Sequence, residues 1–156
     1  MNIIVACVGT IKEKFYADAI NEYLKRLTKF HNVNIIEVKE GKIPKNPSAQ
    51  DIERVKDSES KLLQQVCKGY VVLLDINGQN ITSEELSQKI EKISLSYSTL
   101  TFAIGGSYGV TNAFKQGVDF KLSYSKQTFP HQLMRVILME SLYRSATISH
   151  NITYHK

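Results

Sequence analysis

At 156 residues with 42% hydrophobic content, the chain can bury one sizeable core but not two, so a single domain spanning residues 1–156 is expected. No stretch approaches the ~18 consecutive apolar residues of a membrane span, and the opening MNIIVACVG lacks a basic leader followed by a long apolar region, which argues against membrane insertion and export. The formal charge of +5 is concentrated late: from Lys115 onward six Lys and Arg face only Asp119 and Glu140, a bias that suits a polyanionic partner such as RNA and equally an ordinary basic surface.

In chain order, residues 2–8 form the first apolar run of strand length. Ile11, Phe15, Ala19, Tyr23 and Leu27 then recur every four residues, with Ile20, Leu24 and Phe30 beside them, and predict a helix whose stripe is core. A second strand is expected at 33–38. The loop KEGKIPKNPSA follows with two of the three prolines, and Ser48 is placed to cap a helix using Ile52, Val55, Leu62, Leu63 and Val66. Cys7 and Cys67 stand sixty positions apart in apolar surroundings without CxxC spacing, which reads as two buried free thiols in a reducing compartment, hence the cytoplasm.

A third strand is expected at 70–75, closed by the Asn77-Gly78 turn of DINGQ. Thr82 and Glu85 form a capping box ahead of Leu86, Ile90 and Ile93. Further strands are expected at 100–104 and 120–124. Pro130 suits the first position of a last helix running to about Thr147, with Thr128 or Ser125 placed to cap it or to offer a hydroxyl to a ligand. That helix is apolar on nearly every face, so cover on more than one side, as by a partner subunit, is expected. Strands that are apolar almost throughout, alternating with helices, describe an α/β domain with a parallel sheet covered on both faces.

Two features bear on chemistry. AIGGSYG places Gly105, Gly106 and Gly109 directly after a strand, where bare backbone can approach a ligand at the carboxyl end of a sheet; a plain tight turn explains the same residues. No GK[ST] follows, so it is not a P-loop, and VACVGT offers only Gly9 where a dinucleotide-binding turn needs several glycines. The second feature is SYSKQTFPHQLMR, where a polar stretch gives way to the apolar helix at Pro130 and His131. Three loops at three strand ends, following Asp75, Gly105 and Tyr124, are thereby candidates to converge on one pocket.

The ordered set LLDINGQ, FAIGGSYG, LSYSKQTFPHQLMRVILMESLYR and a terminal TYHK resembles, over the whole chain, the RlmH family of SPOUT-class methyltransferases, which methylate N3 of a pseudouridine in 23S ribosomal RNA. The resemblance implies a SPOUT-type parallel sheet flanked by helices, a C-terminal trefoil knot whose loops bind S-adenosylmethionine, a homodimer that completes each site, and no metal. It places the methyl donor on Leu74, Gly105, Tyr124, Ser125, Lys126, Gln127, Thr128 and Phe129.

Among catalytic candidates, His155 is the best general base by type, with His131 as rival or as a structural imidazole; Tyr154 and Arg135 complete the set, Arg135 as a contact to phosphate or the donor loops. Arg144, Tyr143 and Lys156 are candidates for RNA contact, although Glu140 and Arg144 also have the spacing of a routine i,i+4 pair and Tyr143 is suited to fill an interface. The small basic excess and the lack of a separate RNA-binding domain point to 23S rRNA within the ribosome or large subunit as the partner. A non-catalytic RNA-binding factor and a small-molecule enzyme are the competing classes.

Overall fold

Residues 1–156 are all described in the structure, a computed structural model. Strands and helices alternate as β1 (Asn2–Val8), α1 (Lys14–Leu27), β2 (Asn32–Val38), α2 (Ala49–Val66), β3 (Tyr70–Asn80), α3 (Ser83–Ser94), β4 (Thr99–Ile104), α4 (Asn112–Gly117), β5 (Phe120–Ser123) and α5 (His131–Ser149). The strands are all parallel, in the order β2-β1-β4-β3-β5.

Successive strand residues face opposite sides of a sheet, and here both sides are apolar. Ile3, Val5 and Cys7 of β1 join Leu100, Phe102 and Ile104 of β4 in a layer covered by α1, α3 and α5 through Ile20, Ile90, Leu138 and Leu142. The intervening Ala6, Val8 and Ala103 lie on the side of α2 and α4, in a layer with Leu63, Val110 and Phe114. Leu138, Met139 and Leu142 are wholly buried, each stabilising the fold by roughly 1.5–3 kcal/mol relative to exposure.

The expected Ser48 cap and Thr82 capping box are both present, and Ser48 also forms a full box with Asp51. Ser48 Oγ accepts the Asp51 N–H at 3.1 Å while Asp51 accepts the Ser48 N–H at 3.0 Å, and Thr82 and Glu85 exchange the same pair at 3.1 and 2.7 Å. Both cysteines are free, Cys7 buried and Cys67 half-buried, and burial pushes their thiols up to about 12 and about 11.

Three details differ from expectation. Phe15 is 63% exposed, because α1 begins only at Lys14 and its first turn stacks on Tyr16 outside the core. Asn77-Gly78 does not end β3, which resumes pairing at Gln79. Pro130 sits one residue before α5 and no side chain caps that helix. The expected cover of α5 on more than one side is met within the chain by α1 and α3, with Ser87 Oγ donating to the Ser145 carbonyl at 2.9 Å.

The strand connections locate a crevice. The chain leaves β3 through α3 on one face and leaves β4 through α4 on the other, so the carboxyl ends of these neighbouring strands open between diverging loops.

Candidate functional site

A cleft of about 360 Å³ occupies that crevice, bounded by the ends of β3, β4 and β5. Its first wall is an excursion in β3. Leu74 and Gln79 both pair with Leu122 of β5, so the four residues between them leave the ladder and fold over the strand ends. Gly78 makes this possible: a Cβ there would lie 2.6 Å from the Lys121 carbonyl oxygen, closer than any side chain can approach.

Within the excursion Asp75 accepts the Asn77 N–H at 3.0 Å and pairs with Lys115 Nζ at 3.0 Å. Burial works against ionisation of Asp75, but the Asn77 N–H and Lys115 outweigh it and hold the carboxyl below its usual range. Asp75 and Lys115 both line the cleft, and neither was singled out from sequence as a site residue. The signal was an acidic residue at a strand end; nothing sequential links it to Lys115.

The second wall is the glycine turn after β4. Gly109 has φ +77°, and its N–H donates to the Gly106 carbonyl at 3.0 Å, closing a tight turn. A Cβ on Gly105 would come within 3.0 Å of the buried Val110 side chain. The two readings of this motif are therefore both met: it is a tight turn, and it leaves the backbone of Gly105, Gly106 and Gly109 bare on the cleft.

The third wall is the β5 to α5 connection. Of the predicted donor-site residues, Leu74, Gly105, Tyr124, Ser125, Gln127, Thr128 and Phe129 line the cleft, and Lys126 does not. Local hydrogen bonds shape this segment: Ser125 Oγ accepts the Gln127 N–H at 3.0 Å, and the Asn80 side-chain amide donates to the Ser123 carbonyl at 3.0 Å. Tyr124 is held from behind by a hydrogen bond to the Ser141 hydroxyl on α5; burial raises its phenol, so it remains protonated.

His131 and Met134, from the first turn of α5, complete the lining. His131 is lowered from its ordinary value, chiefly by burial and then by the nearby Arg135 cation. It is therefore neutral at pH 7, with a ring nitrogen able to accept a proton.

The remaining candidates lie elsewhere. Arg135, expected to touch phosphate or the donor loops, is instead 0% exposed, and its guanidinium donates to the Val8 and Gly9 carbonyls at 2.9 and 2.7 Å and to Glu37 at 2.7 Å. It fastens α5 to the ends of β1 and β2, and the cleft does not include it. Two carbonyls and a carboxylate take up both terminal nitrogens of the planar fork, and only the buried Nε is left without a partner.

The chain end folds against its own α5 rather than into the cleft. Tyr154 donates to Glu140 at 3.1 Å, packs edge-on against Tyr143 at 4.9 Å, and lies under the Arg144 guanidinium at 4.8 Å. His155 Nε2 is 2.6 Å from Glu84, and Arg144 makes the i,i+4 pair with Glu140 at 2.5 Å. Tyr143 also faces Tyr23 and Phe30, while Lys156 is exposed. Within one chain, then, the histidine facing the cleft is His131, and Tyr154, His155, Arg144 and Tyr143 form a separate aromatic and charged cluster.

Comparison with known proteins agrees with this architecture. The family model described as "Predicted SPOUT methyltransferase" matches residues 1–155. The ribosomal RNA large subunit methyltransferase H proteins of Clostridium botulinum strains Langeland and Hall are each 46% identical over 159 residues, covering 100% of both chains, and a relative in Methanococcus maripaludis is 46% identical over the same full span. A solved structure of a probable methylase family protein from Haemophilus influenzae Rd KW20 superimposes with a TM-score of 0.55 at 10% identity, covering 99% of this chain and 70% of that one, a likeness of fold. A full-length family match, relatives close to half identical along their whole length and a cleft at three parallel strand ends coincide: the chain belongs to the SPOUT methyltransferase family.

Proposed function

We propose that this methyltransferase transfers the methyl group of S-adenosylmethionine to N3 of a pseudouridine in 23S ribosomal RNA, acting in the cytoplasm as a homodimer on the assembled ribosome or large subunit. The observation that carries the proposal is the cleft of about 360 Å³, walled by bare glycine backbone and the polar segment 124–129. Its volume falls in the roughly 300–1,000 Å³ range of small-molecule sites, and its mixture of apolar side chains and main-chain polar groups suits an adenine and a carboxylate. The names of the Clostridium botulinum relatives support the RNA substrate.

When bound, the sulfonium supplies an electrophilic methyl group. The chain's own residues must align the acceptor nitrogen with it and exclude water, a positioning effect worth up to ~7–11 kcal/mol. As the bond forms, the N3 proton leaves for a neutral acceptor. His131 already faces the cleft, and the tail of a second copy, bringing Tyr154, His155 and Lys156, is the other source. The knot belongs to the same proposal. It is supported by the match of residues 1–155 to the SPOUT methyltransferase family.

Calorimetry with S-adenosylmethionine and labelled methyl transfer to ribosomes from cells lacking the protein test this directly. Saturable donor binding and label in 23S RNA, mapped by mass spectrometry to N3 of a pseudouridine, are expected. Donor binding without transfer would indicate a non-catalytic binding module, and transfer only to small molecules would replace the substrate.

A further inference from the structure

Glu59 is 2% exposed in the middle of α2, on the sheet face opposite α5. Burying an acid is costly unless it is hydrogen-bonded, paired or neutralised. Its two oxygens point to two different loops. Oε1 accepts the Gly41 N–H at 2.9 Å, in the loop that follows β2. Oε2 packs against the glycine turn so closely that a Cβ on Gly106 would sit 2.5 Å from it, and a Cβ on Gly41 would meet Oε1 at 3.4 Å and Val55 at 2.9 Å. Both loops thus carry glycine where this carboxylate passes.

The next residue repeats the arrangement. Ser60 Oγ, also buried, accepts the Thr111 N–H at 3.0 Å, at the far end of the same turn. Two consecutive buried polar side chains of α2 therefore underlie the stretch 106–111, whose front surface lines the cleft. Burial, followed by the opposing Gly41 N–H and the nearby Glu40, leaves the Glu59 carboxyl raised from its ordinary value. The charge is disfavoured there while the shape is retained.

We infer that Glu59 is a positioning residue for methyl transfer, a strut held at Gly41 that sets the height of the Gly105-Gly106 backbone against the donor. This deepens the proposed function and rests on the cleft taking S-adenosylmethionine. Glu59 does not line the cleft and acts only through Gly106.

The test compares wild type, Glu59→Gln and Glu59→Ala for donor affinity by calorimetry, steady-state transfer to ribosomes and thermal midpoint. Glu59→Ala is expected to raise the KM for S-adenosylmethionine about tenfold while leaving the KM for ribosomes within about twofold. Glu59→Gln keeps both the acceptor for Gly41 and the volume beneath Gly106, and is expected to restore donor KM to within about threefold of wild type. A purely structural residue would lower the midpoint without this split, and either that result or equal donor KM in all three proteins overturns the inference. If Glu59→Ala fails to fold, Glu59→Gln paired with Glu59→Asp carries the comparison, since the shorter acid cannot span both loops and must show the same donor-specific loss. Wild type that binds no donor overturns the proposed function and this inference together, whereas binding by wild type with unaltered variants overturns the strut alone.

Discussion

Arg135 and Glu37 form an ion pair of 2.7 Å in which the cation is wholly buried and the anion is 34% exposed. Removing the arginine leaves the Val8 and Gly9 carbonyls at the end of β1 and one carboxylate without this donor. Arg135→Ala is expected to cost about 3 kcal/mol, the lower end for a broken buried pair because water still reaches Glu37. Urea unfolding should show the lower midpoint, and the fraction that folds should keep its KM for donor. A loss of donor affinity with unchanged stability would return Arg135 to the site.

Gly78 approaches the backbone of β5 with no room for a methyl group. Gly78→Ala is expected to destabilise by roughly 1–3 kcal/mol, as overpacking against unyielding main chain does, and to weaken donor binding by distorting the 75–78 excursion. Gly117→Ala is the matched control, since nothing lies within 4 Å of its added Cβ. Thermal melts and calorimetry of the two variants separate the effects.

Deleting residues 154–156 removes an exposed His155 to Glu84 pair and the Arg144 contact with Tyr154. Such contacts contribute about 1 kcal/mol or less each, so the truncated chain should fold and still bind donor. Methyl transfer to ribosomes should fall on the order of 10²-fold if the tail serves the site of a second copy. Full activity in the truncated protein would leave proton transfer to His131.

His31 has a buried Nδ1 without a partner, and burial, the amino terminus and His150 push it down to about 4 from 6.5. Between those values the unfolded chain binds a proton that the folded chain refuses. Stability present above pH 6.5 is therefore lost as pH falls toward 4, by about 1–3 kcal/mol after allowance for solvent screening. His31→Leu should flatten the thermal midpoint across that window relative to wild type.

The sequence made the scaffold legible because its signals are local. Strand-length apolar runs, the Ser48 and Thr82 caps and the glycines after Ile104 each act within a few residues, and each appears where expected. Long-range placement was less accessible. Nothing near Arg135 announces that Val8 and Gly9 will consume its donors, and its setting among apolar residues reads equally well as a ligand contact. Asp75 with Lys115, and Glu59 beneath Gly106, join residues forty or more positions apart, so only the fold pairs them. Phe15 misled because periodicity cannot tell where a helix first meets the sheet.

Leu122 serves as partner to both Leu74 and Gln79, which fixes the contour length available between them. Adding or deleting one residue there would leave both anchorage points intact while shifting the overhang by ~3.3 Å, about the diameter of a reacting atom. This segment behaves as a gauge whose calibration is its residue count. Substitutions should be tolerated along it far better than insertions, and libraries meant to retune the enzyme should vary its chemistry at constant length.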